Sequence, residues 1–349
     1  MKILMIGLGS IGQRHLRNIK RLYGDIAELA AYRVRRLQKT FSDDMKIRDG
    51  VELEKEYGIK VFSDLDAVWE RYNPDIVFVT NITSKHMECA TEAARAGCDI
   101  FIEKPLSDNT LCMDELIRLV DSKGIVAYMG YQNRYHPCIT DVKKLLAENA
   151  IGKLVSVDSD FSERLPTMHT YEDYSSTYMA RRDMGGGPVL NLQIHCLDYL
   201  QWLFGEPESV YTVAGHNTSL NIDVEDYASS LYVFKQSDST CVPVYAHTDF
   251  LQYPPSHTLK VVGEFGRIEA DLNRIETKLY RNGYPNEVYS HPDFKRNDMF
   301  LRELEDFMDC IKYRRKPCSC IESGIVGLKM ALAAKKSAEE DKKIYIAEV

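Results

Sequence analysis

The run Lys2-Ile3-Leu4-Met5-Ile6 passes without a break into Gly7-Leu8-Gly9-Ser10-Ile11-Gly12, and then into Gln13-Arg14-His15-Leu16-Arg17-Asn18-Ile19. An apolar β-prone run, a G-x-G-x-x-G turn and a helical pattern, in that order, make a strand–turn–helix unit, and this context gives the glycines their meaning. Gly7 permits the tight turn, Gly9 lets backbone approach a pyrophosphate, and Gly12 lets helix and strand pack closely. Ser10, Ile11 and Gly12 open the helix, so their amide groups and the positive end of the helix dipole face the anion. A glycine-rich turn without a ligand is the alternative for the motif alone. It loses ground because the chain goes on alternating strand and helix, which points to a dinucleotide.

Asp25–Val34 reads as the second strand. A carboxylate usually ends this strand and holds the ribose hydroxyls of NAD. Here Arg33 stands there, with Arg35 and Arg36 behind it and no acidic residue before Asp43. Arg33 can pair with a 2′-phosphate, which favours NADP over NAD, although arginine also stacks on the adenine of either. Asp75–Val79 is an unalternating apolar strand of the kind a doubly covered parallel sheet needs. It ends in Thr80-Asn81, and His86 follows; polar residues at the carboxyl end of a central strand face the ligand crevice. For His86 the alternative is a helix-start residue with no ligand. Asp99–Ile102 is the next strand and ends in Glu103-Lys104-Pro105. Proline limits its own φ and its neighbour's ψ, so Lys104 sits on a fixed backbone. It either holds a substrate oxygen or the nicotinamide ribose, or is a surface lysine. Ile125–Met129 is the last strand of this half.

The alternation stops after Gly130-Tyr131-Gln132-Asn133-Arg134. Leu154–Phe161, Ser209–Ala214, Tyr227–Phe234, Val242–His247, Leu259–Val262, Arg267–Asp271 and Glu276–Tyr280 are strand candidates in succession, the pattern of an antiparallel sheet in an α+β domain. Between the first two lies Gly185-Gly186-Gly187-Pro188, which announces a helix running to about Phe204. Asn191 and His195 are four apart and share one of its faces, with Asp198 three further on. The alternative for His195 is a satisfied core histidine.

These residues together resemble the Gfo/Idh/MocA family of NAD(P)-dependent oxidoreductases. The resemblance rests on Gly7 to Gly12, Thr80-Asn81 to His86, Glu103-Lys104-Pro105, Gly130 to Arg134, and Gly185 to His195. It implies an α/β Rossmann domain over residues 1–125 and an α+β domain over 126–349 carrying a large open-faced, mostly antiparallel sheet. Closing helices near 299–341 pack back on the first domain in this reading. The resemblance implies a hydride passed between nicotinamide and a hydroxyl-bearing carbon of a sugar, sugar acid, nucleotide sugar or polyol. It places the catalytic lysine on Lys104, and an Asp-x-x-x-His pair on Asn191 and His195. Asn191 departs from the family's aspartate: an amide orients but does not take or give a proton at ordinary pH. Cofactor contacts are expected from Gly7, Gly9, Ser10, Ile11, Gly12, Arg33, Thr80, Asn81, His86, Glu103 and Lys104. Substrate contacts are expected from Arg134, Tyr178, Arg181, Asn191 and His195. The tyrosines and arginines of residues 168–182 suit a sugar ring bearing carboxylate or phosphate.

The composition narrows the partners. The formal net charge is −8, which argues against a nucleic-acid surface. No apolar run approaches the ~20 residues of a membrane helix. Met1 leads straight into an apolar strand, which reads as no export signal, and nine scattered cysteines without a CxxC pair read as reduced thiols in a cytoplasmic protein with no metal site. An open sheet face predicts a homo-oligomer. Two other readings stay open on the sequence: a non-catalytic dinucleotide-binding regulator, kept alive by Asn191, and a redox-neutral lyase or glycosidase with tightly held NAD.

Overall fold

The computed structural model describes residues 1–34, 39–42, 46–236 and 238–349. Arg35 and Arg36 and Asp43 lie outside the described residues. The chain divides into two compact units, Met1–Tyr131 with Phe300–Ile325, and Gln132–Met299 with Val326–Val349.

Six parallel strands form the sheet of the first unit: β1 (Lys2–Ile6), β2 (Glu28–Tyr32), β3 (Lys60–Phe62), β4 (Ile76–Val79), β5 (Asp99–Glu103) and β6 (Ala127–Gly130), in the order β3-β2-β1-β4-β5-β6. The helices are α1 (Ser10–Tyr23), α2 (Leu53–Tyr57), α3 (Leu65–Ala67, continued by a π-type turn over Val68–Tyr72), α4 (His86–Ala96) and α5 (Met113–Lys123). The strand order reverses between β1 and β4, where Met5 pairs with Ala31 on one side and Phe78 on the other. In such a sheet the ligand crevice opens at this switch point, beyond the carboxyl ends of the strands. The unit runs past residue 125 because β6 is bonded to β5, Ile102 opposite Met129. Its core is a ladder of rings: Phe78 stacks on Phe101 at 5.0 Å, Phe101 on Tyr128 at 5.7 Å, and Phe307 meets Phe78 edge-on at 5.6 Å. Each fully buried phenylalanine is worth roughly 1.5–3 kcal/mol over an exposed one.

The second unit holds nine strands: β7 (Leu154–Ser162), β8 (Pro207–Gly215), β9 (Tyr227–Lys235), β10 (Cys241–Asp249), β11 (Ser256–Gly263), β12 (Gly266–Asp271), β13 (Glu276–Arg281), β14 (Glu287–Ser290) and β15 (Ile344–Tyr345), in the order β14-β13-β12-β11-β7-β10-β9-β8-β15. All neighbours are antiparallel except β7 and β10. β14 escapes the sequence reading because only four residues, with one aliphatic side chain, make an edge strand. The helices of the chain's remainder are α6 (Pro137–Ala147), α7 (Leu165–Met168), α8 (Ile194–Phe204), α9 (Arg296–Tyr313) and α10 (Ile321–Glu340). Strand β10 shows why one sheet face is covered and the other open: Val242, Val244, Ala246 and Thr248 are buried, while Cys241 and Tyr245 are exposed. On the covered face Tyr199 of α8 bonds Ser159 of β7 at 2.8 Å, and the Tyr232 hydroxyl donates to the Met330 carbonyl of α10 at 3.1 Å.

Two of the buried histidines of this unit have strongly lowered pKa values. His257 lies flat against Phe161, with centroids 4.0 Å apart, and burial pushes its pKa down to about 3. Burial likewise takes His136 to about 4. The unfolded chain takes up these protons near 6.5, the folded chain only below 4, so the unfolded state binds more protons in between. Stability therefore rises with pH from about 4 to 6.5, by at most ~1.4 kcal/mol per pH unit for each group. His257→Phe, which keeps a flat ring against Phe161, should show a shallower loss of stability between pH 7 and pH 5 in denaturant titrations. A slope equal to that of the unsubstituted protein would exclude His257 as a source.

Candidate functional site

In the first unit the glycine turn is built as close contact requires. Gly7 has φ of +96°, and a Cβ there would lie 2.7 Å from backbone atoms of Asn81; one on Gly12 would lie 2.4 Å from the Gly7 carbonyl oxygen. These two glycines hold α1 against β1 and β4. Gly9 is different, since a Cβ on it would meet nothing within 4 Å. The backbone there is open on its outer side. Gly9 caps α1 with no side-chain hydrogen bond, and the first turn carries no acidic residue. The amide groups of Ser10, Ile11 and Gly12 thus precede the first backbone donor of the helix ladder, since Gln13 is the first to bond back, to the Gly9 carbonyl at 2.9 Å. An open cradle, uncapped amides and no competing anion fit the pyrophosphate of a dinucleotide.

Other candidates have structural tasks as well. The Thr80 hydroxyl donates to the Gly7 carbonyl at 2.7 Å, closing the switch point. The Asn81 amide lies 3.3 Å from Cys89 Sγ, and its buried Oδ1 has no hydrogen-bond partner among the described residues. The His86 ring spans two turns, with Nδ1 2.7 Å from the Pro105 carbonyl and Nε2 3.1 Å from the Asn81 carbonyl. Burial lowers the His86 pKa; a neutral ring donates to one carbonyl, and the shorter contact selects Pro105. Glu103 is buried, with Oε1 2.7 Å from His15 Nε2 and Oε2 accepting from the Lys104 amide at 3.2 Å. Lys104 follows at the end of β5, partly exposed, and its bond to Pro105 is cis. Arg33, directly after β2, donates its amide to Phe62 and pairs its guanidinium with Glu54, both at 3.0 Å.

In the second unit Pro188 opens a helix whose first turn, Val189–Gln193, is of π type before α8 begins. π turns recur at functional sites. Asn191 lies in this turn and His195 just beyond it, both buried. The Asn191 amide nitrogen donates to the Gly187 carbonyl at 2.8 Å and lies 3.4 Å from that of Gly185. It therefore ties the helix to its glycine-rich entry. The entry is tight: a Cβ on Gly186 would sit 2.7 Å from three carbonyl oxygens, of Tyr178, Met179 and Arg181. The His195 ring packs 5.8 Å from that of Phe161.

Arg134, expected at the substrate, is instead engaged inside the protein. Its Nε donates to Asp198 Oδ2 at 2.9 Å and its Nη2 to Oδ1 at 2.6 Å, both residues being almost wholly buried, while Trp202 lies 5.5 Å from the guanidinium. Removing one partner of such a pair is costly because the other charge is left buried. Tyr178 and Arg181 lie on the segment before the glycines, partly exposed, and Arg181 is 4.0 Å from Asp223. Sequence reading missed His15, and also Gln13, whose amide donates to the Leu8 and Lys39 carbonyls and accepts from the Phe41 amide. No spacing signal marks either residue; only the fold shows what a buried polar group on α1 meets. Among the described residues no group of His, Cys, Asp and Glu is arranged to hold a metal ion.

The Asn191 geometry has a consequence for the aspartate seen at the matching family position. A carboxylate at 191 would face the Gly187 carbonyl oxygen where the amide now donates. Asn191→Asp should cost roughly 1–3 kcal/mol at pH 7. Its folded-state pKa is raised, so the penalty shrinks as pH falls and the protonated carboxyl donates. Denaturant titration at pH 7 and pH 5 checks this, and an unchanged midpoint at pH 7 would contradict the hydrogen-bond assignment.

Residues 1–131 match the model of an oxidoreductase family with an NAD-binding Rossmann fold, and residues 139–269 match that of the Gfo/Idh/MocA C-terminal domain. The myo-inositol 2-dehydrogenase of Thermotoga maritima is 27% identical over 353 positions, covering 100% of this chain and 99% of that protein. The scyllo-inositol 2-dehydrogenase (NAD(+)) of Bacillus subtilis is 23% identical, covering 97% and 94%. A levoglucosan dehydrogenase solved with NADH and levoglucosan shares the fold, with a TM-score of 0.82 over 99% of both chains at 17% identity. With both domain models matched in order along one chain, the protein belongs to the Gfo/Idh/MocA family of oxidoreductases.

Proposed function

We propose that this chain is a nicotinamide-dependent dehydrogenase acting on the CH–OH group of a cyclic polyol or sugar. The observation that carries the reading is the open cradle at Gly9, where uncapped α1 amides await an anion at the switch point of the sheet. Full-length similarity to inositol 2-dehydrogenases supports a ring bearing several hydroxyls. The dinucleotide, when bound, supplies the hydride acceptor. In this reading Lys104 hydrogen-bonds the substrate oxygen and His195 takes the hydroxyl proton. Asn191 handles no proton and holds the turn that carries His195. Arg181, loosely paired with Asp223, is available to a substrate oxygen; Arg134 is not, and its task is to anchor α8. A panel of inositols, sugars and sugar acids, assayed for reduced nicotinamide by absorbance, tests the activity. His195→Ala should lower kcat by roughly 10²–10⁴ with little change in cofactor affinity. Turnover near that of the parent would remove His195 from the mechanism, and no reduction with any polyol or sugar would overturn the function.

The preferred cofactor in this proposal is NADP. No carboxylate ends β2, and the residue that does follow it is a buried arginine. Glu54, half-exposed, balances Arg33 until a 2′-phosphate takes its place. Arg33→Ala should weaken NADP binding by about 1.5–3 kcal/mol and NAD binding much less. Equal losses would assign Arg33 to the adenine, and a parent enzyme that prefers NAD would end the proposal. The open face of the second sheet supports a homo-oligomer: Tyr211, Val213 and Tyr245 are exposed on it. A 40 kDa species alone in light scattering at micromolar concentration would refute that.

A further inference from the structure

We infer that two buried histidines, His15 on α1 and His86 at the start of α4, are positioning residues for Lys104, each fixing one of its chain neighbours. The inference rests on the role given to Lys104 above. Lys104 stands between Glu103 and Pro105. The Glu103 carboxylate is bonded on one oxygen to His15 Nε2 at 2.7 Å and on the other to the Lys104 amide at 3.2 Å. The Pro105 carbonyl is bonded to His86 Nδ1 at 2.7 Å, and the same ring reaches the Asn81 carbonyl at 3.1 Å. The turn that carries Lys104 is thus pinned on both sides, from two helices.

The residue types argue for this task. His15 is fully buried among Phe78, Phe101 and Phe300, with ring centroids 4.7 to 6.0 Å away. Phenylalanine or leucine would suit such a pocket and match its apolar walls, but would leave the buried Glu103 Oε1 without this bond. Histidine leaves its Nδ1 buried without a hydrogen-bond partner among the described residues. The site keeps that unmatched nitrogen, and what the ring gains is the bond to Glu103. Carboxylate bonds of this kind are stronger than neutral ones, so they fix geometry well. His86 in turn donates to the Lys104 turn at Pro105 while its ring lies against the turn after β4 at Asn81. His15 follows the uncapped end of α1 by little more than a turn. Through Glu103 it links the helix that awaits an anion to the backbone of Lys104.

A double-mutant cycle tests the assignment on the full-length enzyme. His15→Phe keeps the aromatic packing and deletes the bond; His86→Leu does the same for the other side. Each should lower kcat by about 10- to 100-fold, the usual effect of displacing a reacting group by ~1 Å, while the dissociation constant for the dinucleotide changes only a few-fold. In a Lys104→Ala background neither should lower kcat further, because both act through Lys104. An equal fall in both backgrounds, or no fall with Lys104 present, would overturn the inference. Where His15→Phe does not fold, His15→Gln replaces it; its amide still donates to Glu103 and should recover most of the lost kcat relative to His15→Leu. Amide hydrogen exchange at Lys104 provides a readout free of catalysis. It should quicken about tenfold or more in His15→Phe and Glu103→Gln, since local opening sets that rate. Unchanged exchange would refute the clamp itself. Quickened exchange beside an active Lys104→Ala enzyme would refute the role of Lys104 and leave the clamp standing.

Discussion

The structure of the first unit depends on one close approach. Gly12 of α1 sits so near the Gly7 carbonyl, and the Thr80 hydroxyl beyond it, that a single methyl group would collide with both. Because no side chain intervenes, β1, β4 and α1 converge at the switch point of the sheet. That convergence leaves the Gly9 side open and aims the helix amides at the opening. It also brings α1 near enough to the end of β5 for His15 to reach Glu103. An anion cradle and a fixed Lys104 are consequences of the same packing.

The second unit positions its polar residues differently. Its glycine-rich entry is held by hydrogen bonds from Gly186 and Gly187 to the carbonyls of Arg181 and Met179, at 2.9 Å each. The Asn191 amide adds a bond from the helix side. The Arg134–Asp198 pair locks α8 to the turn after β6 in a place where neither charge meets water. Burial of such groups constrains geometry more than it adds stability, since desolvation offsets most of the attraction.

The parallel sheet was legible because fully buried strands read as unbroken apolar runs, as in Ile76–Val79, and because glycine and proline punctuate them. The antiparallel strands were legible from their alternation, down to Glu276–Arg281. The parallel pairing of β7 with β10 was not, since strand partners over 80 residues apart leave no local trace. Lys104, His195 and Asn191 were singled out as candidates through motifs with fixed spacing. Arg134 illustrates the limit: an arginine beside aromatic and amide residues looks the same in sequence whether it faces a ligand or a buried carboxylate. Asp198 was noted for sharing a helix with His195, yet its partner lies 64 residues earlier. The tasks of His15 and Gln13 depend on which strands lie beneath α1, and no spacing rule encodes that.

The ring ladder of the first unit has a bearing on how the chain matures. Phe307, which closes the ladder against Phe78, Phe101 and Tyr128, comes from α9, and the Tyr128 hydroxyl bonds Asp306 at 2.9 Å. Arg314 clasps Asp99, and Ser319 bonds Met129 through both its carbonyl and its hydroxyl. All six strands of the parallel sheet have left the ribosome well before these residues are made. Until then the aromatic seam of that sheet lacks the ring that closes it. Eight of the second unit's nine strands, β7 to β14, are also drawn from the interval between the two halves of the first. Synthesis from the N-terminus therefore cannot complete the dinucleotide-binding unit first, and the nascent protein must hold that seam until the chain returns to it.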